Sequence, residues 1–372
     1  MVLAAHMPNV AGCIPVNVVT WLSRLGKFGY LGVDVFFLLS GFLITGILLR
    51  EMEASQGGVM RRFYARRLLR IFPTFYLTIV VCYVFFPGYN YIYQSLYLSN
   101  YYFTFSDGAH PLRHTWSLAV EEQFYLLWPV VLLLSHRLRK MRQLPVLVCC
   151  VSVAGTFVQD VLLPLQVSDP LSYRGLESRM LSLAIGSHFA INGVPRLPIG
   201  RVIAGVLGLY AIAAVVKLLL MRNDVDVPTG TVKQVCFSGI SSLLFVLCYH
   251  SKGGLRTWLT SPAARFLGRI SYGLYLYHVP VLFAFGVSHM QVTVDSSVSL
   301  RTLLAAYMGS AAAAIGSWYL IEKPLLGLKE RFALRVTAYD WGLLRNPHSG
   351  GTGCGMRRQQ LPHNNYAQGS DK

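Results

Sequence analysis

Charged side chains are scarce in this sequence: Asp, Glu, Lys and Arg make up 13% of it, where an ordinary soluble domain carries about a quarter. Together with 54% hydrophobic residues and a mean hydropathy of +0.47, that scarcity excludes a soluble globular domain and predicts a membrane protein. Clustered cysteines are also lacking. The seven present are scattered, several within apolar runs, as at Cys82, Cys149, Cys150, Cys236 and Cys248. No spacing suggests a zinc site or a disulfide framework, so no metal is expected and these residues read as small packing side chains. A phosphate-binding loop, a dinucleotide fingerprint and an internal repeat are absent too, and no bound cofactor is expected.

What is present is a series of long apolar runs: residues 30–49, 71–86, 116–134, 144–163, 176–190, 199–221, 231–249, 270–287 and 300–321. Most approach the ~20 residues needed to cross a bilayer. The expected fold is therefore all-α, a polytopic helical bundle with nine spans. Lys and Arg resist translocation and collect in cytoplasmic loops. Twenty of them fall in one alternating set of connections, from Arg50 to Arg335, and at most eight in the other. That asymmetry puts the C-terminus in the cytoplasm and the residues before Tyr30 outside. It also accounts for the net charge of +17 through topology and contact with anionic membrane lipids, with no need for a nucleic-acid partner. Three regions are expected: 1–29 before the first run, 30–328 as the membrane domain, and a tail at 329–372 whose Ser349-Gly350-Gly351 and Asn364-Asn365 are typical of disordered chain.

Within the runs stand a few ionisable residues, which are costly in hydrocarbon unless paired or used. His114-Thr115-Trp116-Ser117-Leu118-Ala119-Val120-Glu121-Glu122-Gln123-Phe124-Tyr125 puts two carboxylates at the mouth of a span. Asp34, Glu177 and Arg179 enter from the same outer side, while His278 lies about eight residues, or ~12 Å, from the cytoplasmic end of its run. Asp34 with Arg179 can form a purely structural ion pair. Equally, the acids, Trp116, Arg179, Tyr272 and His278 can line one cavity. Arg66, Arg67 and Arg70 form a cationic cluster at the start of a span, either fixing topology or binding phosphate oxygens.

Taken in order, Gly32-Val33-Asp34-Val35-Phe36-Phe37 with Ser40-Gly41-Phe42, then Arg66-Arg67 with Arg70-Ile71 and Pro73, then Thr115-Trp116-Ser117-Leu118 with Glu121 and Gln123-Phe124-Tyr125, then Ser178-Arg179-Met180, Ser271-Tyr272-Gly273 with His278, and Ile321-Glu322-Lys323-Pro324 resemble the membrane-bound acyltransferase-3 family. The resemblance implies an enzyme of the inner (plasma) membrane that takes an acyl group, most often acetyl, from a coenzyme A thioester and places it on a hydroxyl. The acceptor implied is a carbohydrate or glycolipid sugar. It further implies ten core helices, with a catalytic His in the first of them and a matching Arg ten residues upstream. His6 stands at that place. Only five residues precede it, so most of the first helix would lie outside this sequence, through a start assigned too far downstream or through truncation. The intact downstream motifs favour the former. The lack of a hydrolase-like domain after the last run fits a stand-alone transferase better than a fused peptidoglycan-type one.

Transfer to an alcohol needs a general base, and imidazole suits that task near neutral pH. His6 is the expected base, Glu121 or Asp34 its orienting carboxylate, and Arg66, Arg67 and above all Arg70 the donor-phosphate contacts. Two alternatives remain open. One is a transporter or flippase using Asp34, Glu121 and His278 as a proton or substrate path; the other is an inactive, truncated acyltransferase.

Overall fold

The computed structural model describes residues 29–54, 58–106, 108–163, 165–222, 230–287 and 300–328. All of them fall in the first of two compact units, Met1–Leu334. His6, the region 1–28 and the tail from residue 329 lie outside the described residues. Among the described residues every regular element is helical: α1 (Gly29–Ala54), α2 (Val59–Phe85), the short α3 (Ile92–Ser95) and α4 (Ser99–Phe105), a 3₁₀ turn at Arg113–Thr115, α5 (Trp116–Arg137), α6 (Leu144–Leu162), α7 (Leu165–Arg174), α8 (Leu176–Asn192), α9 (Ile199–Arg222), α10 (Gly230–Tyr249), α11 (Gly253–Leu259), α12 (Pro262–Ala284), α13 (Leu300–Ser317), a π-helical turn at Trp318–Glu322 and α14 (Lys323–Leu328).

Each apolar run seen in the sequence is the body of a helix, and among the described residues six stretches are long and apolar enough to cross a membrane: Leu31–Ala54, Val59–Phe85, Arg113–Arg137, Leu144–Leu162, Gly230–Tyr249 and Arg301–Gly327. Nine spans were expected, and the described residues supply six of this kind. Helix α8 falls short at 17 residues with Glu177 in its first turn, and α12 carries Arg265 and Arg269 near its start.

Two features differ from the sequence expectation. Helix α2 begins at Val59, twelve residues ahead of the apolar run, so Arg66, Arg67 and Arg70 are not at the edge of a loop but on the helix itself. Arg70 lies about 16 Å along its axis. The connection 86–115, expected to be an outer loop, folds back against the bundle. Tyr76 Oη donates to Ser95 O at 2.8 Å, and the Tyr97 ring stacks on Phe75 with centroids 4.8 Å apart. Phe75 is about 15 Å below the end of α2, so the tip of this segment reaches into the depth of the bundle. Irregular backbone is tolerated at such depth only where protein covers it. Gln123 Nε2 does so, donating to Tyr97 O at 2.7 Å, while Tyr97 turns the chain with a φ of 53°.

The closest helix pair is α1 with α8. A Cβ on Gly41 would collide with the Leu183 carbonyl, and one on Gly186 with the Leu38 carbonyl. Small residues let membrane helices approach to backbone contact, which substitutes packing for the hydrophobic force that lipid removes. Hydrogen bonds complete the join: Thr45 Oγ1 donates to Ser187 Oγ at 2.9 Å, and Trp128 Nε1 of α5 donates to Thr45 Oγ1 at 2.8 Å.

Candidate functional site

Helix α1 presents two polar residues to different neighbours. Asp34, nearer its start, is 1% exposed and receives Arg179 Nη1 at 3.0 and 3.1 Å on its two oxygens, with Ser182 Oγ donating to Oδ1 at 2.8 Å. Arg179 is held in turn: its Nε donates to Tyr173 O at 2.6 Å, and its guanidinium lies 4.5 Å from the Tyr173 ring and 5.9 Å from that of Trp116. Trp116 and Tyr173 meet at 4.8 Å. Every hydrogen-bonding demand of Asp34 is met inside α1, α7 and α8. The ion pair foreseen as the structural option is the one observed.

Ser40, six residues on, points to a second carboxylate. Its Oγ makes a short hydrogen bond to Glu121 Oε1 and receives Tyr125 Oη at 3.1 Å. Glu121 is 3% exposed and forms no ion pair with a described residue; Arg67 and Arg70 act on it electrostatically from beyond contact. The positions Ser117, Glu121 and Tyr125 recur every fourth residue and so share one face of α5. At the upper end of that face Ser117 Oγ and Tyr275 Oη lie 2.7 Å apart, and Tyr275 Oη donates to His114 O at 2.5 Å.

His278 is buried beside them. Its ring centroid is 4.9 Å from that of His114, and its Nδ1 is 2.6 Å from Tyr275 O. It therefore sits against the N-terminal end of α5, about 24 Å along α12, which starts eight residues ahead of the apolar run, at Pro262. His114 Nε2 is 3.2 Å from Leu276 O. Glu121 and His278 thus belong to one connected region, whereas Asp34 and Arg179 form another.

The three arginines of α2 separate. Arg66 pairs with Glu51 at the end of α1. Arg67 lies over the Tyr125 ring at 4.5 Å. Arg70 makes no hydrogen bond or ion pair with a described residue, and its side chain is exposed. Tyr272 flanks it, its Oη donating to Ile71 O at 3.1 Å.

Ser40, His114 and Tyr125 stood within the quoted motifs without a role of their own, and Tyr275 and Glu51 were given none. The fourfold spacing from Glu121 could have drawn attention to Ser117 and Tyr125; no spacing ties Ser40, Tyr275 or Glu51 to this place, since they arrive from other helices. Among the described residues no group of three or more His, Cys, Asp or Glu side chains is placed to hold a metal ion.

Comparison with known proteins adds the following. The acyltransferase-3 model, described as an acyltransferase domain, matches residues 1–322, a stretch that includes His6. The peptidoglycan O-acetyltransferase OatA of Listeria monocytogenes is 28% identical over 311 residues, covering 74% of this chain and 49% of that protein. The O-acetyltransferase OatA of Staphylococcus aureus (strain NCTC 8325 / PS 47) is 27% identical over 332 residues, covering 82% and 53%. The chain spans about half the length of these curated relatives. No solved structure matches.

Proposed function

The chain belongs to the acyltransferase-3 family, and from that membership we propose that it is a membrane O-acyltransferase, moving an acyl group, acetyl first among them, from a cytoplasmic coenzyme A thioester to a hydroxyl of a cell-surface carbohydrate. The observation that carries this reading is a polar seam through an apolar bundle. It runs from Arg70 and Arg67 through Tyr125, Ser40, Glu121 and Ser117 to Tyr275, His114 and His278. Between Tyr125 and His114 it covers about 16 Å of helix. A seam of that length lets a donor held at the arginine end meet an acceptor arriving from the other side.

The chemistry is a substitution at the thioester carbonyl. The acceptor oxygen forms the new C–O bond, its proton passes to a base, the C–S bond breaks, and the leaving sulfur takes up a proton. His6 is the proposed base. Glu121 is the proposed orienting carboxylate, since it is met by hydroxyls and distant cations, whereas Asp34 is already committed to Arg179. A carboxylate in that role fixes the imidazole and stabilises its cation. Arg70 is the proposed contact for donor phosphate, with its guanidinium free among the described residues. Arg66 is given up as a donor contact because Glu51 occupies it. The proposed setting is the plasma membrane, with the C-terminus cytoplasmic, in contact with membrane lipids.

The two relatives named above are an O-acetyltransferase and a peptidoglycan O-acetyltransferase, so peptidoglycan is the first acceptor to assay. Mass spectrometry of surface polysaccharide from cells lacking and expressing the gene tests the proposal. An acetyl increment that appears with the gene and vanishes in Glu121→Gln is the expected result. An unchanged polysaccharide with both, while labelled solute enters the cells, would favour transport instead.

A further inference from the structure

The motif Ile321-Glu322-Lys323-Pro324 has no part in the seam described so far, yet its acid is buried. Glu322 is 6% exposed and ends a π-helical turn that interrupts the last long helix. Such turns occur mostly as single-turn irregularities and frequently at functional sites. Oε1 of Glu322 accepts a hydrogen bond from Ser317 Oγ at 3.1 Å, and Ser317 is tied to Tyr277 Oη at 2.9 Å. Helix α12 makes room for the carboxylate: a Cβ on Gly273 would lie 3.1 Å from Oε1.

The residue before that glycine is Tyr272, whose hydroxyl bonds the carbonyl of Ile71, next to Arg70. Two consecutive residues of α12 therefore link the carboxylate to the backbone beside Arg70. Glu322 and Arg70 do not form an ion pair, and Glu322 forms none with any other described cation. Lys323, its neighbour in sequence, has its Nζ 5.7 Å from the Tyr319 ring centroid. A contact ion pair would occupy the guanidinium fork, as Glu51 occupies Arg66. A carboxylate anchored by Ser317 and kept short of contact offsets the charge while leaving the fork open.

We propose that Glu322 is a positioning residue for Arg70, a counter-charge presented by the π turn that orients the guanidinium toward the phosphate oxygens of a nucleotide-bearing thioester donor. This rests on the donor reading of Arg70 given above. Equilibrium binding of labelled acetyl-CoA to the full chain in nanodiscs, with no acceptor present, tests it. Glu322→Gln keeps the shape and removes the charge. The expected result is a Kd raised roughly threefold to tenfold, partly restored in Glu322→Asp, with no further weakening when Glu322→Gln is added to Arg70→Ala. Equal weakening in both backgrounds, or an unchanged Kd in folded Glu322→Gln, overturns the proposal while leaving the donor site standing. If Arg70→Ala itself leaves the Kd unchanged, the donor reading falls and this proposal with it. Should Glu322→Gln not accumulate, Ser317→Ala releases the carboxylate from its anchor: a smaller rise in Kd that disappears in Arg70→Ala supports the proposal, and no rise contradicts it.

Discussion

Helix α1 holds two polar side chains six residues apart, and they live in opposite circumstances. Asp34 meets a guanidinium and a hydroxyl at hydrogen-bond distance, with the guanidinium itself clamped by a carbonyl and two rings. Ser40 meets Glu121, a carboxylate whose direct partners are hydroxyls and whose cations stand off. Both acids are buried in the bundle. The first is closed: its charge is neutralised on the spot, and any new ligand would have to break bonds already made. The second is open: among the described residues hydroxyls meet it and no cation pairs with it. In a membrane, where burying an unpaired carboxylate is costly, an open acid points to chemistry and a closed one to architecture.

The sharpest way to break this contrast is to neutralise each acid without changing its shape. Glu121→Gln is expected to lower transferase activity by roughly 10²- to 10⁴-fold, the range of a lost acid–base group or its positioning partner, with protein abundance and melting temperature close to normal. Asp34→Asn should do the reverse. Leaving Arg179 buried and uncompensated costs on the order of 3–5 kcal/mol, so abundance in the membrane and thermal stability fall, and activity falls only in proportion. Activity per folded molecule in the two variants is the deciding measurement. A folded, inactive Asp34→Asn would place Asp34 in the chemistry and dissolve the distinction.

A second variant tests what keeps the closed site closed. Gly186→Val puts branched carbon where α8 touches the Leu38 carbonyl, and overpacking of this kind costs typically 1–3 kcal/mol. Because Ser182 and Arg179 lie on the same helix, the join and the ion pair should fail together. Combining Gly186→Val with Asp34→Asn is then expected to cost less than the sum of the two. Strict additivity in melting temperature would show that they are independent.

The arginines repeat the comparison on a smaller scale. Arg66 is closed by Glu51, and Arg70 is open. Arg70→Ala should raise the donor KM roughly tenfold, the worth of one charged hydrogen bond, whereas Arg66→Ala should leave donor KM alone and lower stability. Equal KM effects would make the cluster one electrostatic patch.

Much of this was legible in the sequence, and what was not has a common cause. Apolar runs of nearly helical-span length announce helices, and every run is one. The Asp34–Arg179 pair was foreseeable as an option because acids and bases inside spans seek each other. The fold-back of residues 86–115 was not, since its tyrosines and asparagines look like an ordinary exposed connection, and only the folded chain brings Tyr97 against Phe75 and Gln123. The extent of α2 was hidden for a similar reason: Arg61 to Arg70 interrupts hydropathy without interrupting the helix. Ser40 and Glu121 meet across 81 positions, and no local pattern encodes which faces of two distant helices will be opposed. The catalytic role given to His6 lies outside the described residues.

The smallest expected effect concerns a closed site without charge. His110, in the fold-back segment, has Nε2 3.1 Å from Asn90 O while its Nδ1 accepts from Leu112 N–H at 3.0 Å. Accepting at Nδ1 makes the ring neutral and Nε2 the donor. Rings of Tyr89, Tyr91 and Phe103 enclose it, and burial, helped by the charge of Arg113, holds its pKa down at about 4 against an ordinary 6.5, although the Asn90 bond opposes the shift. Between those two values the unfolded chain binds a proton that the folded chain refuses, so stability rises with pH in that window. The contribution is complete above about pH 6.5 and is lost as pH falls toward 4. Melting temperature measured at pH 7 and at pH 5 should therefore drop more in the wild-type chain than in His110→Gln, which keeps a donor and an acceptor but cannot titrate. Parallel drops in both would mean that the acid sensitivity resides elsewhere. A larger drop confined to wild type would show that this segment, like Asp34, is held by bonds already satisfied, and that a closed polar site in this bundle fails by losing a bond rather than by exposing a charge.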